Sequence, residues 1–166
     1  MQVPYMLIGG MANAIWGVPR ATVDVDVAVG VAEPDIAGTV QKLGELFRIV
    51  PADPVEFVLA SRVLPMDTPD GVRLDVIFGM TPMEDEAIRR AVVRRIGGQA
   101  VRVCTPEDLV IFKLGSDRER DGQDAEEIVK RNARTLDRIY LDPKIKTLSE
   151  GLARPDILST YLAWLK

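Results

Sequence analysis

The chain has 166 residues, of which 47% are hydrophobic and 28% charged, with a net charge of −4, a single cysteine and no histidine. That length suits one compact domain able to bury about two-thirds of its unfolded surface. The missing histidine excludes Ser-His-Asp and Cys-His nucleophile systems, His-ligated metals and a histidine base, and the lone Cys104 excludes a disulfide framework or a C-x-x-C pair. Chemistry is left to carboxylates, Arg, Lys, backbone amides and a hard metal ion.

Residues 3–8 predict a short buried strand ended by Gly9-Gly10, with a short helix over 11–16 stopping at Gly17 and Pro19. Neither this stretch nor the apolar run 27–32 is long enough to span a bilayer. With scarce cysteine and no leader pattern, the expectation is a cytoplasmic protein with no membrane segment. Residues 21–30 (ATVDVDVAVG) alternate strictly, as a strand does. Val23, Val25, Val27 and Val29 share one face and are expected in a core, while Thr22, Asp24, Asp26 and Ala28 share the other.

Residues 34–47 predict a helix with Ile36, Val40, Leu43 and Phe47 at helical spacing. A Pro-rich stretch and a short helix over 55–60 follow. Two strands, 62–66 and 71–78, are joined by the turn 67–71. On the second, Val72, Leu74, Val76 and Phe78 face one way, leaving Asp75 among apolar neighbours on the other. A helix over 83–91 and a hairpin of 92–96 with 100–104 across Gly97-Gly98 complete the α/β part. Arg89, Arg90, Arg94, Arg95 and Arg102 crowd this stretch, either as a solvated face or as a phosphate-facing patch.

Thr105-Pro106-Glu107-Asp108 is a helix start: Thr as N-cap, Pro in the first position, acids in the first turn. The remainder predicts helices over 106–116, 121–133, 135–141, 144–153 and 156–165, with Ile145, Leu148, Leu152, Ile157, Tyr161, Leu162 and Leu165 on apolar faces. The expected organisation is an α/β core over 1–104 and a helical subregion over 105–166 packed on it. Cys104, Trp16 and Trp164 are expected as packing residues.

Two carboxylates at i and i+2 on a strand point the same way, and on a half-buried sheet face they repel each other and lose hydration. Cations relieve both costs, and oxygen ligands suit Mg²⁺ or Mn²⁺. Asp75 on a neighbouring strand would complete a site for two ions about 3.5–4 Å apart, as in phosphoryl and nucleotidyl transfer. Gly9-Gly10 between strand and helix is either a simple tight turn or a place where backbone N–H groups meet an anion. Taken alone, Asp24 and Asp26 also fit a solvent-exposed strand face.

The run from Leu7 to Val29, LIGGMANAIWGVPRATVDVDVAV, resembles the signature of the nucleotidyltransferase superfamily: a Gly-Gly turn, a short helix, then R-x-T-x-D-x-D on a strand. Arg73 to Gly79, RLDVIFG, is similar to that family's third-Asp strand. TPEDLVIFKLGSDRERDGQDAEEI resembles the later motif of the AbiEii-type branch. Together these cover most of residues 5–130.

The resemblance implies the polymerase beta-like nucleotidyltransferase fold, a mixed sheet with flanking helices followed by a helical subregion. It implies transfer of an NMP from an NTP such as ATP to a hydroxyl, with Asp24, Asp26 and Asp75 holding Mg²⁺ or Mn²⁺. Gly9, Gly10, Arg20 and Thr22 would serve the nucleotide. Lys113 would approach the phosphates or base, and Asp121, with Asp124 beside it, would be a helper base or an anchor. The residues also allow duller roles: Lys113 snorkelling to the surface and Asp121 and Asp124 as helix-entry charges. The acceptor is RNA, with a tRNA end foremost, or a protein hydroxyl. The resemblance also allows the chain to be the toxin-like half of a toxin–antitoxin pair, with an antitoxin as partner. The alternative is an inactive protein of the same fold that binds a nucleotide or a partner.

Overall fold

Two parallel strands, β2 (Asp24–Gly30) and β5 (Arg73–Gly79), form the middle of a seven-stranded mixed sheet in the computed structural model, which describes residues 3–165. The others are β1 (Tyr5–Leu7), β3 (Arg48–Ile49), β4 (Val63–Asp67), β6 (Val92–Ile96) and β7 (Gln99–Val103), in the order β3-β4-β5-β2-β1-β7-β6. β1 runs parallel to β7 and antiparallel to β2, and β3–β4, β4–β5 and β6–β7 are antiparallel pairs.

Alternation decides which side of this sheet is dry. Val29, Val76, Phe78, Leu64 and Met66 are buried together with Val31, Ile36, Val40 and Val58, so helices α2 (Ile36–Gly44) and α3 (Pro54–Ser61) cover that side. Each such fully buried side chain contributes about 1.5–3 kcal/mol. α3 ends where Arg62 takes a left-handed conformation (φ 66°). Its guanidinium donates to the Phe78 carbonyl at 3.1 Å and to Glu84 Oε2 at 2.7 Å. Glu84 in turn closes a capping box with Thr81 at the start of α4 (Pro82–Arg90). Burial alone would raise the Glu84 carboxyl, but the hydrogen bonds from Thr81, Arg62 and Met80 outweigh it and hold it below its usual range.

The valine face departs from expectation at its start. β2 begins at Asp24, and Val23 is 83% exposed, while Val72, just before β5, is 42% exposed. The core cluster includes Val29, Val76 and Phe78 further along both strands, so burial grows toward their C-terminal ends. The Gly-Gly pair is likewise no separate turn: helix α1 spans Gly9–Trp16 and starts on it. β3 has no counterpart in the sequence pattern, because two residues are too few for an alternation to show.

The backbone divides into two compact units. One holds the chain up to Met11 and again Ala21–Cys104; the other holds Ala12–Arg20 and everything from Thr105 on. The second unit resumes at Thr105, where the expected elements change from α/β to all-helical, whereas residues 12–20, expected with the α/β core, group with the helices. Residues 1, 2 and 166, the ends of the two expected regions, lie outside the described residues.

The helical unit contains α5 (Pro106–Leu114), α6 (Glu119–Asn132), α7 (Arg138–Gly151) and α8 (Pro155–Trp164), with Leu109, Ile111, Ile128, Leu141, Ile145, Ile157 and Tyr161 fully buried. Thr105 caps α5 by accepting from the Asp108 N–H. α7 replaces the two helices expected over 135–153 and carries Pro143 inside it. Proline removes one hydrogen bond there, and the buried Leu141 and Ile145 on either side hold the helix together. Leu152 and Leu162, expected on apolar packing faces, are each 45% exposed. Among the described residues no helix is long and apolar enough to cross a membrane.

Candidate active site

The parallel register of β2 and β5 sets Asp24 opposite Arg73 and Asp26 opposite Asp75. In-register neighbours on a pleated sheet share a face, and so do residues two apart on one strand. Asp24, Asp26 and Asp75 therefore lie on one side, with Asp24 exposed and the other two half-buried. Arg73 is on the same side, and its Nε binds Asp67 Oδ1 of β4 at 3.0 Å. Arg48 also pairs with Asp67.

Gly9 explains itself once the sheet is formed. A β-carbon there would stand 1.8 Å from Asp26 Oδ2, and the residue has φ +60°. Gly10 is equally constrained: its β-carbon would lie 2.5 Å from Thr22 Oγ1, which donates to the Asp24 carbonyl at 3.1 Å. The two glycines thus let the first turn of α1 sit directly against the carboxylate strand. The N–H groups of a first turn have no acceptor within their own helix, which makes them donors for an anion. Gly9→Ala is expected to cost about 1–3 kcal/mol from the backbone conformation alone, with displacement of Asp26 in addition. Urea unfolding checks the first, and loss of any activity that needs Asp26 checks the second.

The electrostatics of this face are adverse. Burial, then the charge of Asp26, then that of Asp24, raise the Asp75 carboxyl above the ordinary aspartate range, against an opposing pull from Arg73. A carboxyl raised in the folded state opposes folding most fully above its folded value, and the opposition shrinks as pH falls through that value toward the ordinary aspartate range, below which it is gone. Asp75→Asn is accordingly expected to raise the melting temperature at neutral pH when no divalent cation is added. A fall would show that Asp75 is held by favourable contacts instead.

The donor set of this face is three carboxylates, hard oxygen ligands suited to Mg²⁺ or Mn²⁺. Among the described residues no three acids or thiols close around one point. The acids form an open face, not a finished cage. The repulsion that raises Asp75 is what a cation on that face would remove, and in this sense the residues fit the ion.

The helical unit collects the other expected residues. Lys113, on α5, is only 6% exposed; its ammonium pairs with Asp121 and donates to Asp124 Oδ2 at 2.8 Å. Asp124 also accepts from Arg20 at 3.1 Å and from Asn13 Nδ2 at 3.3 Å, and Asp121 from Arg118 at 2.8 Å. Lys113 is therefore no snorkelling surface residue. Burial is the largest single influence on Asp121 and Asp124 and raises both, but the hydrogen bonds and charges together, from Lys113, Ser116 and Arg118 at Asp121 and from Lys113 and Arg20 at Asp124, outweigh it, so both carboxyls lie below their usual range.

Asn13 is not among the expected residues. It is fully buried in α1 and also donates to the Val18 carbonyl at 3.1 Å, which holds the bend after α1. The signal for it is an asparagine inside the otherwise apolar MANAIW, where a buried amide needs partners.

No family model matches the chain, and no curated protein matches it. Solved structures do. An antigenic nucleotidyltransferase-like protein from Paracoccidioides brasiliensis superposes with a TM-score of 0.53 at 19% identity, over 95% of this chain and 84% of that one. The lincomycin-bound lincosamide antibiotic adenylyltransferase LnuA gives 0.49 at 13% identity, over 76% of this chain and 85% of the other. The antibiotic-resistance factor ANT(2'')-Ia gives 0.49 at 17%, over 97% and 85%. The chain has the nucleotidyltransferase fold.

Proposed function

We propose that the chain is a metal-dependent nucleotidyltransferase that moves an NMP from an NTP to a hydroxyl of RNA or protein. The observation that carries this reading is the register that opposes Asp26 to Asp75, with Asp24 two residues away and Gly9 kept small by the Asp26 carboxylate. Three like charges gathered on a half-buried face are costly to keep unless they act on a cation or a substrate.

Asp24, Asp26 and Asp75 would hold Mg²⁺ or Mn²⁺, which when bound neutralises phosphate charge and polarises the α-phosphate. The chain's own groups do the rest. First-turn amides at Gly9 and Gly10 orient the phosphate tail, and Thr22 fixes the start of β2 through the Asp24 carbonyl. The acceptor oxygen bonds to the α-phosphorus in line, the bond from that phosphorus to the bridging oxygen breaks, and pyrophosphate leaves with its electron pair. The hydroxyl proton passes to the carboxylate side or to water. Catalysis of this kind is positioning plus electrostatics, and it needs no histidine.

Lys113, Asp121, Asp124 and Arg20 serve, in this reading, to hold the helical unit together. The toxin-like role and an antitoxin partner rest on the AbiEii-type motif in the sequence; co-expression with adjacent genes tests them. The activity itself is tested with each α-labelled NTP, Mg²⁺ or Mn²⁺, and a mixture of total RNA and cell protein. Label in nuclease- or protease-sensitive material is expected. Folded protein that labels neither, and whose melting temperature no NTP raises, would overturn the proposal; a nucleotide at 100 times its Kd should add about 2.7 kcal/mol.

A further inference from the structure

The turn that joins β4 to β5 closes on a pair of opposite charges. The Thr68 N–H donates to the Val72 carbonyl at 2.9 Å, the Val72 N–H to Thr68 Oγ1 at 3.0 Å and the Gly71 N–H to the Thr68 carbonyl at 2.9 Å. This turn sets Asp67 opposite Arg73 as the last pair of the two antiparallel strands. The pairing continues on both sides, with Arg48 of β3 opposite Asp67 and Asp24 of β2 opposite Arg73. In-register neighbours share a face, so Arg48, Asp67, Arg73 and Asp24 form one row of alternating charge across four adjacent strands.

The row is not evenly paired. Asp67, its side chain 13% exposed, accepts from Arg48 at Oδ2 and from Arg73 Nε at Oδ1, the latter at 3.0 Å. Arg73 is the one basic residue in either β2 or β5. It has Asp67 on one side, Asp24 on the other and Asp75 two residues along its own strand. Strand geometry puts Asp24 about 4.8 Å and Asp75 about 6–7 Å away along the backbone, both within reach of an arginine side chain. The ion pair it makes is with Asp67.

We propose that Asp67 is a positioning residue for the cation site: by holding Arg73 at Nε, it keeps the guanidinium off Asp24 and Asp75 and leaves their oxygens to a divalent ion. A guanidinium laid on a carboxylate forms two parallel charge-assisted hydrogen bonds and takes the oxygens that a metal needs. Held at Asp67, it does not. Its charge still reaches the site: burial, Asp26 and Asp24 raise the Asp75 carboxyl, and Arg73 supplies the opposing pull. The three acids thus gain a counter-charge without losing their ligand atoms, and Arg48 on the other oxygen fixes Asp67 in turn. Opposite charges across strands also stabilise a sheet, but a purely stabilising pair has no effect on the cation that depends on Arg73. The inference rests on the reading of the Asp24, Asp26 and Asp75 face as a cation site.

A double-mutant cycle read by metal binding tests this apart from transfer. Electron paramagnetic resonance of free Mn²⁺ follows its titration onto the full chain, with no nucleotide. Asp67→Ala is expected to weaken Mn²⁺ binding at least about tenfold, the worth of one charge-assisted contact made by the released Arg73. Arg73→Gln should bind Mn²⁺ at least as tightly as wild type. Asp67→Ala/Arg73→Gln should bind within about threefold of Arg73→Gln, the effect of a distant charge screened by salt. Urea midpoints of the same samples show that each variant is folded; if Asp67→Ala is not, Asp67→Asn, which keeps the shape and loses the charge, carries the same cycle. Unchanged affinity without the Asp67 carboxylate would overturn the inference. So would an equal loss with and without Arg73, because the carboxylate would then act on the ion directly. Wild type that binds no Mn²⁺, or binds it equally after Asp24→Asn/Asp26→Asn, removes the cation reading and this inference with it. Binding abolished by that pair but indifferent to Asp67 removes this inference alone.

Discussion

Replacing Asp24 and Asp26 together by asparagine is expected to reduce nucleotide transfer by at least about a thousandfold, a loss of about 4 kcal/mol of transition-state stabilisation, while the chain stays folded. Asparagine keeps the shape of the side chain and removes the charge. Asp24 is exposed, so its replacement disturbs no packing, and the carboxamide introduced by Asp26→Asn can occupy the space that Gly9 leaves for the native carboxylate. Two readouts are needed: label transferred from the preferred NTP, and the urea midpoint of the same sample. Full activity in a variant that melts normally would mean that the reaction, if any, runs elsewhere on the molecule.

Lys113→Met is the second large expected effect, and it falls on stability. The ammonium of Lys113 is shared by two buried carboxylates, Asp121 and Asp124. Arg118, the other cation on Asp121, has a side chain 82% exposed and compensates it weakly. Removing the lysine leaves buried negative charge, which costs about 3–5 kcal/mol, or a fall in melting temperature on the order of 10 °C for a chain of this size. The triple variant with Asp121→Asn and Asp124→Asn should recover much of this, because the charges that needed compensation are gone. The cluster also has a pH signature. Both carboxyls are held below their ordinary values, so their contribution is complete above the normal aspartate range and is lost as pH falls through the lowered values. Acid unfolding of wild type should be steeper than that of the triple variant; equal curves would show that the pairs contribute nothing net.

Much of the site could be read from the sequence because its determinants are local. Asp24 and Asp26 share a face by strand alternation alone, and Gly9-Gly10 followed by a helical run announces a place where backbone approaches something closely. Thr105-Pro106 before two acids fixes a helix start whatever surrounds it. Strand pairing lies beyond local reading. That Asp75 stands opposite Asp26, in register, depends on β5 joining β2 across a long connection through α2, α3, β3 and β4. A shift of one residue would have turned Asp75 to the other face.

Burial also escaped the pattern. Val23 alternates as well as Val29 does, yet one is 83% exposed and the other 7%, because periodicity gives the side of a strand and not how far along it the covering helices reach. Lys113 and Arg102 show the same limit among charged residues. The sequence left Lys113 open between a phosphate contact and the surface, and Arg102 between a solvated face and a phosphate-facing patch, whereas the tertiary structure pairs Lys113 with two buried aspartates and Arg102 with backbone carbonyls. Composition and spacing thus determined most of the elements, the acidic strand and the exclusion of histidine chemistry. The folded chain alone decided which charges meet, since partners far apart in sequence are chosen by packing, and burial sets the strength of their pairing.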